Sequence, residues 1–346
     1  MKVALCVKWF NVDELLVPMF RKYEQEHGIE PLEFVRCTSL EDVRNEVLSN
    51  KTKILFIDPP SSTIELWKFV TSKESTIEWV HSSAAGVDKF FATFKQLPED
   101  NLTFLQNEIK FTRRAGSVTP QTMTEYILMI ILNMERSMKS LSQNSLNHEW
   151  QSDYNCRLLS ECRVGLMGYG EIGREIANKL NSNFNMKINV LKRGEASNDS
   201  SVDKWFSSTS EGGVEKFLSS DLDYIVAILP STKETVGLLN NSILKNCERS
   251  KPVFINLGRG DLVGDQDIVT ALENKWIRFA ALDVLSQEPL PKDSILWGRQ
   301  DLLVTPHCSC KTKSIVTEIA KGFYENMNLF KNNQQMVNLV DWKKEY

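Results

Sequence analysis

The 346-residue sequence contains no long apolar segment. Its longest uninterrupted apolar run, residues 126–132, is far too short for a membrane helix, which needs about 20 apolar residues. Residues 1–10 also lack the apolar centre and the small-residue cleavage site of a signal peptide. We therefore expect a cytoplasmic protein that has no membrane partner.

An excess of positive charge is also missing. The formal net charge is −4 and the isoelectric point is about 5.8, so no global basic field favours nucleic acid as a partner. Apolar residues make up 42% and charged residues 25% of the chain, as in ordinary globular proteins. At this length we expect two domains, because single hydrophobic cores seldom exceed about 250–300 residues.

Cysteine pairs with the spacing of a metal site are absent. The seven cysteines are scattered and odd in number, which is typical of reduced thiols rather than of a disulfide framework. Cys308 and Cys310 are close in sequence, but their spacing is not that of a zinc knuckle and no second pair follows. We expect no metal site.

Short apolar runs alternate with helical segments along the chain, which is the pattern of parallel sheets with crossover helices. The predicted strands of the first half are at 3–7, 32–35, 54–57, 79–81 and 102–105. Those of the second half are at 163–167, 187–191, 224–228, 253–257, 279–283 and 302–305. The prediction is an α/β protein with two doubly wound parallel-sheet domains, of which the second is a Rossmann-type dinucleotide-binding domain.

Helices and irregular segments complete this prediction. Apolar residues at helical spacing predict one helix at 121–144 and another at 314–330. The second of these should return to pack on the first half of the chain. Residues 150–161 are predicted to be irregular, and residues 195–220, rich in Ser, Gly and acidic residues, are predicted to form a surface excursion.

A glycine-rich turn follows the strand at 163–167. It has glycine at Gly168, Gly170 and Gly173, the spacing that lets the backbone turn tightly and approach a pyrophosphate at a helix N-terminus. The strand before the turn and the predicted helix at 174–180 supply the context that this fingerprint requires. Dinucleotide binding is favoured over a turn whose glycines are only structural.

The end of the next strand carries two cations, Lys192 and Arg193. Sites for NAD place a carboxylate about 20 residues beyond the glycines to bind the ribose hydroxyls, and none stands at this strand end. Two cations can neutralise a 2′-phosphate, so NADP(H) is preferred over NAD(H), with a solvated basic turn as the alternative. Leu229 and Pro230 end a later strand and are expected to lie along the cofactor.

Three side chains near later strand ends could together support the reduction of a carbonyl group that lies beside a carboxylate. Arg259 stands between two glycines, where its guanidinium could bind a substrate carboxylate and the neighbouring carbonyl oxygen. His307 follows the last strand, and Glu288 could favour its protonated form. A protonated imidazole can give its proton to a carbonyl oxygen as hydride arrives. The alternatives are a surface salt bridge for Arg259 and packing or loop charges for the other two.

From about residue 80 to residue 310 the chain resembles the D-isomer-specific 2-hydroxyacid dehydrogenases. The matching stretches occur in the family's order and spacing at 84–88, 164–173, 229–238, 256–260, 281–291 and 305–307. Within the family the chain is most similar to the glyoxylate/hydroxypyruvate reductase A group. The features that indicate this group are the run Met123-Thr124-Glu125-Tyr126, the basic strand end and the tail at 340–346.

This resemblance implies roles for the matching residues. Arg259 would anchor the substrate, His307 would be the acid/base with Glu288 as its partner, and the backbone amides of Ala85 and Gly86 would bind the substrate carboxylate. Asp283 would lie near the nicotinamide. The full set of expected cofactor contacts is Gly168, Gly170, Glu171, Ile172, Gly173, Lys192, Arg193, Leu229, Pro230, Thr235, Leu257, Gly258, Arg259, Asp283 and His307.

The resemblance also implies an architecture and an activity. Residues 1–115 and 311–346 would form a discontinuous, flavodoxin-like substrate domain, and residues 116–310 the cofactor domain, with a cleft between them that closes on the substrate. The activity would be reduction of a small 2-oxo acid, such as glyoxylate or hydroxypyruvate, to the D-2-hydroxy acid. A homodimer built on the cofactor domain is expected, with the helix at 121–144 as a candidate contact.

The sequence differs from the usual family pattern at two places, and two alternative functions are compatible with the same fold. Cys308-Ser309-Cys310 and Ser83-Ala84-Ala85 stand where the family usually has smaller or more glycine-rich sequences, which could alter the pocket. A formate-dehydrogenase-like enzyme is one rival, but such enzymes tend to have glutamine rather than Glu288 beside the histidine. A dinucleotide-sensing regulatory protein of the same fold is the other rival.

Overall fold

A computed structural model describes residues 1–152 and 156–343 of the chain. Residues 153–155 of the segment predicted to be irregular, and residues 344–346 of the tail that marks the reductase group, lie outside the described residues. The chain forms two compact units. One comprises Met1–Val118 and Thr312–Tyr346, and the other comprises Thr119–Lys311.

The first unit contains a five-stranded parallel sheet with helices on both faces. Its strands have the order β2-β1-β3-β4-β5 and are β1 (Lys2–Cys6), β2 (Glu33–Arg36), β3 (Ile54–Ile57), β4 (Trp79–Ser82) and β5 (Lys110–Arg113). Its helices are α1 (Val17–His27), α2 (Leu40–Asn50), α3 (Ile64–Val70), α4 (Asp88–Phe94), α5 (Glu99–Glu108) and the C-terminal helix α11 (Ser314–Lys331). Phe323 of α11 stacks on Phe20 of α1 with ring centroids 5.5 Å apart. The C-terminal helix therefore packs on the first unit, as predicted.

The second unit contains a seven-stranded parallel sheet of order β12-β11-β10-β9-β6-β7-β8. The strands are β6 (Arg163–Met167), β7 (Lys187–Lys192), β8 (Lys204–Ser207), β9 (Tyr224–Ala227), β10 (Val253–Asn256), β11 (Phe279–Leu282) and β12 (Leu302–Val304). The helices are α6 (Val118–Glu135), α7 (Met138–Leu146), α8 (Glu171–Phe184), α9 (Gly213–Leu218) and α10 (Asp265–Glu273). Separate apolar clusters cover the two faces of this sheet. The predicted fold class, two parallel-sheet α/β domains, is confirmed.

One predicted strand is wrong. Residues 102–105 lie inside helix α5, and the fifth strand of the first sheet is β5 instead. Pro98 stands at the helix N-cap and Glu99 and Asp100 occupy the first turn, where proline and acidic residues favour a helix start. The other predicted strands occur within one residue of their expected bounds.

Two other predictions need correction. The segment at 195–220 is not only a surface excursion, because it contains strand β8, which pairs with β7, and helix α9. The single helix predicted at 121–144 is two helices, α6 and α7. The chain changes direction at Ser137, whose φ of 51° is left-handed.

Membrane-spanning helices, metal clusters and disulfides are all absent from the described part of the chain. No helix there is long and apolar enough to cross a bilayer. No group of three or more His, Cys, Asp or Glu side chains in the same residues could hold a metal ion. All seven cysteines have free thiols.

Candidate active site

The residues predicted for cofactor and catalysis in the second unit stand at one edge of its sheet. In the order of the strands, β12 is followed by His307, β11 by Asp283, β10 by Arg259, β9 by Leu229 and β6 by Gly168, while β7 ends at Lys192. All these strands are parallel, so their carboxyl ends lie along a single edge. Ligands of such sheets bind at that edge, where the strand order reverses. The reversal here is between β9 and β6.

The glycine turn has the close contacts that its three glycines suggest. Gly168 has a φ of 111°, which favours glycine. A Cβ atom on Gly173 would lie 2.3 Å from the carbonyl oxygen of Gly168, so only glycine lets helix α8 start this close to the strand. Gly170 is the N-cap of α8, and a Cβ atom there would meet nothing within 4 Å. Binding of a pyrophosphate by the amides of Glu171, Ile172 and Gly173 at this helix N-terminus stays a prediction.

The loops after β9 and β10 pack against each other. A Cβ atom on Gly258 would lie 2.6 Å from the carbonyl oxygen of Leu229, and Leu257 beside it is buried. The Thr235 hydroxyl donates to the carbonyl oxygen of Pro230 at 2.6 Å and accepts from the amide of Thr232 at 2.8 Å. These contacts fix the strand ends that are predicted to lie along the cofactor.

The basic end of β7 is held by its neighbours in the chain. The Nζ atom of Lys192 donates to the Ser197 hydroxyl at 2.9 Å and lies 5.7 Å from the centre of the Trp205 ring. Arg193 is exposed. Both cations are therefore at the strand end that the fingerprint assigns to the adenosine ribose.

One carboxylate near the glycine turn is absent from the residues predicted for this site. The Tyr169 hydroxyl, inside the turn, donates to Asp199 Oδ2 at 2.7 Å. Asp199 Oδ1 accepts from the amide and the hydroxyl of Ser201 at 3.0 and 2.7 Å. Hydrogen bonds from Tyr169 and Ser201 lower the pKa of Asp199. The acid lies on the loop after β7 rather than at the strand end, so the spacing rule does not find it.

The turn that carries Arg259 is shaped by a buried amide. Asn256, only 1% exposed, donates through Nδ2 to the carbonyl oxygen of Arg259 at 2.9 Å and accepts from the amide of Gly258 at 3.1 Å. A Cβ atom on Gly260 would overlap the backbone of Leu285. The two glycines beside Arg259 are thus needed for packing as well as for access.

Glu288 and His307 form a hydrogen-bonded pair. The Nδ1 atom of His307 lies 3.0 Å from Glu288 Oε2, and the side chains are 41% and 27% exposed. Glu288 Oε1 accepts from the amide of Leu285 at 3.2 Å, which orients the carboxylate. Because a carboxylate only accepts, Nδ1 must carry the proton of this hydrogen bond. The other ring nitrogen, Nε2, is then the atom that can give or take a proton at a substrate.

Asp283 is buried and already has several hydrogen-bond donors. Its Oδ1 accepts from the Thr305 hydroxyl at 2.6 Å and from the amide of Cys308 at 2.8 Å, while Oδ2 accepts from the amide of Ser309 at 2.9 Å. Burial raises the pKa of Asp283, but the hydrogen bonds from Ser309, Thr305 and Cys308 outweigh it and the net shift is downward. A contact between Asp283 and the nicotinamide stays a prediction.

Ala85 and Gly86 belong to the first unit, in the loop after β4 at the carboxyl edge of its own sheet. The neighbouring Ala84 accepts from the amide of Arg114 at 3.1 Å and donates to the Ser82 hydroxyl at 3.1 Å. These bonds hold the loop in place. The assignment of its amides to a substrate carboxylate stays a prediction.

Comparisons with known proteins indicate the same family as the sequence motifs. The family described as "D-isomer specific 2-hydroxyacid dehydrogenase, NAD binding domain" matches residues 128–309, just over half of the chain. A curated relative, glyoxylate/hydroxypyruvate reductase A of Citrobacter koseri, is 29% identical over 68% of this chain and 71% of its own length.

Solved structures of similar fold cover nearly the whole chain. A D-isomer specific 2-hydroxyacid dehydrogenase family protein from Aeromonas salmonicida has a TM-score of 0.76 at 24% identity and covers 98% of both chains. The NADPH-dependent glyoxylate/hydroxypyruvate reductase of Sinorhizobium meliloti, solved with NADP and sulfate, has a TM-score of 0.76 at 22% identity and covers 100% of this chain and 99% of its own. The resemblance that the sequence motifs predict is confirmed.

Proposed function

Because the chain belongs to the D-isomer specific 2-hydroxyacid dehydrogenase family, and is thus an NAD(P)-dependent oxidoreductase, we propose that it reduces a small 2-oxo acid to the D-2-hydroxy acid. The substrate is of the glyoxylate or hydroxypyruvate type. The observation that carries the proposal is the 3.0 Å pair of His307 and Glu288 at the sheet edge that also bears the glycine turn and Arg259. This reduction requires a proton donor and a cation that binds the substrate carboxylate, both beside a dinucleotide site.

The chain's residues divide the work as follows. The guanidinium of Arg259 binds the substrate carboxylate and stabilises negative charge that develops on the carbonyl oxygen. The Nε2 atom of His307 gives its proton to that oxygen, while Glu288 holds the opposite ring nitrogen and stabilises the charged imidazole. The amides of Ala85 and Gly86 are assigned to the substrate carboxylate. When bound, the reduced nicotinamide supplies the hydride.

NADPH is the preferred cofactor in this proposal. The glycine turn fits a dinucleotide, since Gly173 and Gly168 are in contact and Gly170 faces open space. Lys192 and Arg193 would neutralise the 2′-phosphate. Asp199, a carboxylate on the loop after β7, is engaged by Tyr169 and Ser201. The Sinorhizobium meliloti relative is described as NADPH-dependent, which supports the same preference.

A homodimer is part of the proposal. Large apolar side chains are exposed on α6, on α7 and just after α7, namely Met129 (43%), Leu132 (40%), Met138 (44%), Leu146 (75%) and Trp150 (97%). Large exposed apolar side chains on neighbouring elements of the chain are typical of interaction surfaces. A second copy of the chain is the partner that the family resemblance favours.

The proposal is tested by measuring NADPH and NADH oxidation with a panel of 2-oxo acids, for the wild type and Arg193→Ala. We expect turnover of glyoxylate or hydroxypyruvate, faster with NADPH, and a selective rise of the KM for NADPH in Arg193→Ala. Lys187→Ala is the matched control, because Lys187 is an exposed cation at the opposite end of the same strand.

Two further measurements on the same proteins separate the rivals. Reduction of NAD⁺ or NADP⁺ by formate, without 2-oxo acid reduction, would indicate the formate-dehydrogenase-like alternative. Tight NADPH binding in a direct titration, without any turnover, would indicate the sensor. An unchanged NADPH preference in Arg193→Ala would contradict the cofactor assignment while leaving the reaction intact.

A further inference from the structure

His307 has a backbone conformation that histidine seldom adopts. Its φ is 50°, in the left-handed region that costs a non-glycine residue about 1–2 kcal/mol. Such a conformation persists only where the surroundings determine it strongly. The geometry around His307 shows what does so.

Three successive amides converge on a single residue, Asp283. The amide of His307 donates to the Asp283 carbonyl oxygen at 2.9 Å. The amides of Cys308 and Ser309 donate to the two carboxylate oxygens at 2.8 and 2.9 Å. Consecutive amides arranged around an anion form a nest, often with one residue in the left-handed conformation. The left-handed turn at His307 accompanies two amides, those of Cys308 and Ser309, that both donate to the Asp283 carboxylate.

A chain of hydroxyl groups leads from helix α6 to this carboxylate. Thr305 Oγ1 lies 2.6 Å from Asp283 Oδ1, and because the carboxylate only accepts, the threonine must be the donor. The Tyr126 hydroxyl, 2.7 Å from the same Oγ1, must then donate its own proton to Thr305. Burial raises the pKa of Tyr126 to about 12, so the phenol keeps that proton at neutral pH.

We propose that Tyr126 and Thr305 are positioning residues that act through Asp283 to fix the left-handed turn and thereby the orientation of the His307 imidazole. The inference rests on the proposed function of His307 as proton donor and deepens it. It also gives a role to Tyr126, which stands out in the sequence only as a mark of the reductase group. We call the chain of hydrogen bonds from Tyr126 through Thr305 to Asp283 the relay. It transfers no proton, because each hydroxyl only donates a hydrogen bond to the next oxygen and so keeps that oxygen in position.

The consequence is a specific pattern of kinetic changes. A loosened turn displaces the imidazole relative to the carbonyl oxygen, and a displacement of about 1 Å can reduce a rate about 100-fold. Most of the predicted NADPH contacts, at the glycine turn and at the basic end of β7, lie outside the turn at His307. Loss of the relay should therefore lower kcat by a much larger factor than it raises the KM for NADPH.

The test compares Thr305→Val with Thr305→Ser, together with Tyr126→Phe. Valine has the shape of threonine without its hydroxyl, whereas serine keeps the hydroxyl. We expect kcat to fall about 10- to 100-fold in Thr305→Val, to fall less in Tyr126→Phe, and to remain near the wild-type value in Thr305→Ser. Hydrogen exchange of the amides at 307–309 should speed up in the same order, since their acceptor is less well held.

Tyr224→Phe is the matched control. Tyr224 is a buried phenol that donates to the carboxylate of Glu135, and it begins strand β9 at the edge opposite His307. This variant should lose thermal stability as Tyr126→Phe does, but it should keep the wild-type kcat and the wild-type exchange at 307–309.

The inference is overturned if Thr305→Val keeps the wild-type kcat and exchange rates. It is also overturned if Thr305→Ser is as impaired as Thr305→Val, because the hydroxyl would then not be the cause. A wild-type protein that reduces no 2-oxo acid would remove the proposed function. The exchange rates at 307–309 would still decide whether the relay fixes the turn, so the two failures are distinguishable.

Discussion

Two alanine substitutions in the glycine turn should separate its structural role from its role in binding. A Cβ atom on Gly173 would lie 2.3 Å from the Gly168 oxygen, closer than Cβ atoms come in real structures, and a tight 3.0 Å from Ile228 Cδ1. The first of these atoms is backbone, which cannot move aside without shifting the turn. At Gly170 a Cβ atom meets no protein atom within 4 Å, and its φ of −82° suits any residue.

The expected magnitudes follow from these contacts. Overpacking of this kind costs about 1–3 kcal/mol, and each kcal/mol lowers the Tm by about 2–4 °C in a unit of 150–250 residues. Gly173→Ala should therefore lose roughly 2–12 °C without any ligand. In Gly170→Ala the poorer N-cap lowers the stability slightly, whereas the less flexible unfolded chain raises it. The two effects nearly cancel. Its Tm should stay within about 2 °C of the wild type.

The assay is thermal unfolding with and without NADPH. At about 100 times the Kd, ligand binding adds about 2.7 kcal/mol of stability, whereas a 100-fold weaker complex adds only about 0.4 kcal/mol. Because a methyl group at the second glycine blocks the approach of a pyrophosphate, Gly170→Ala should lose most of the NADPH-induced rise in Tm. If Gly170→Ala keeps the full rise, the pyrophosphate does not bind at this turn and the reasoning is refuted.

Three further predictions concern catalysis, pH and assembly. Glu288→Gln keeps a hydrogen-bond partner for His307 but removes the negative charge that stabilises the imidazolium. We therefore expect kcat to fall about 10²–10⁴-fold at unchanged Tm. An unaltered kcat would contradict the role of Glu288 as the partner of His307. Burial raises the pKa of Glu135, but hydrogen bonds from Arg157 and Tyr224 bring it below its ordinary value. The Glu135 carboxylate therefore stabilises the fold above an unfolded pKa of about 4.3 and loses that contribution as pH falls through the lower folded value. The Tm deficit of Glu135→Gln should thus be large at pH 7 and should shrink as the pH falls below about 4, and a deficit that is the same at every pH would contradict this. Trp150→Asp should shift the protein from dimer to monomer in analytical ultracentrifugation, and a wild type that is already monomeric would refute the proposed dimer.

Much of the second unit could be predicted because its central strands are buried on both faces. Such strands are continuous apolar runs that end abruptly at glycine or polar residues, as at Asn256 and Gly258. Each of these endings falls at the carboxyl edge of the sheet. The ends of the apolar runs are therefore enough to assign Arg259 and His307 to that edge.

The elements that escaped prediction have weaker local signals. Strand β8 (Lys204–Ser207) is an edge strand that pairs only with β7 and is nowhere fully buried, so its sequence alternates poorly. The apolar pair Trp205-Phe206 is too short to predict a strand by itself. The strand prediction for residues 102–105 was wrong because the local signal there is ambiguous. Its short apolar run suits either a strand or one face of a helix, and Pro98 with the acidic first turn decides for the helix.

Hydrogen bonds between distant side chains could not be predicted where no sequence motif marks both partners. Tyr169 and Asp199 are 30 positions apart, and Tyr126 and Thr305 are 179 apart. No periodicity links such pairs, since only the folded sheet and its helices bring them within hydrogen-bond distance. The residues that position the site are therefore less visible in a sequence than the residues that carry the chemistry.

The most direct test of the central claim is the product of hydroxypyruvate reduction by NADPH, resolved by chiral chromatography, for the wild type, His307→Gln and His27→Gln. His27 is an exposed histidine at the end of α1 and serves as the control. We expect the wild type and His27→Gln to form the D-2-hydroxy acid at similar rates, and His307→Gln to be slower by about 10²–10⁴-fold. Equal rates in all three proteins, or the L-isomer as product, would contradict the account.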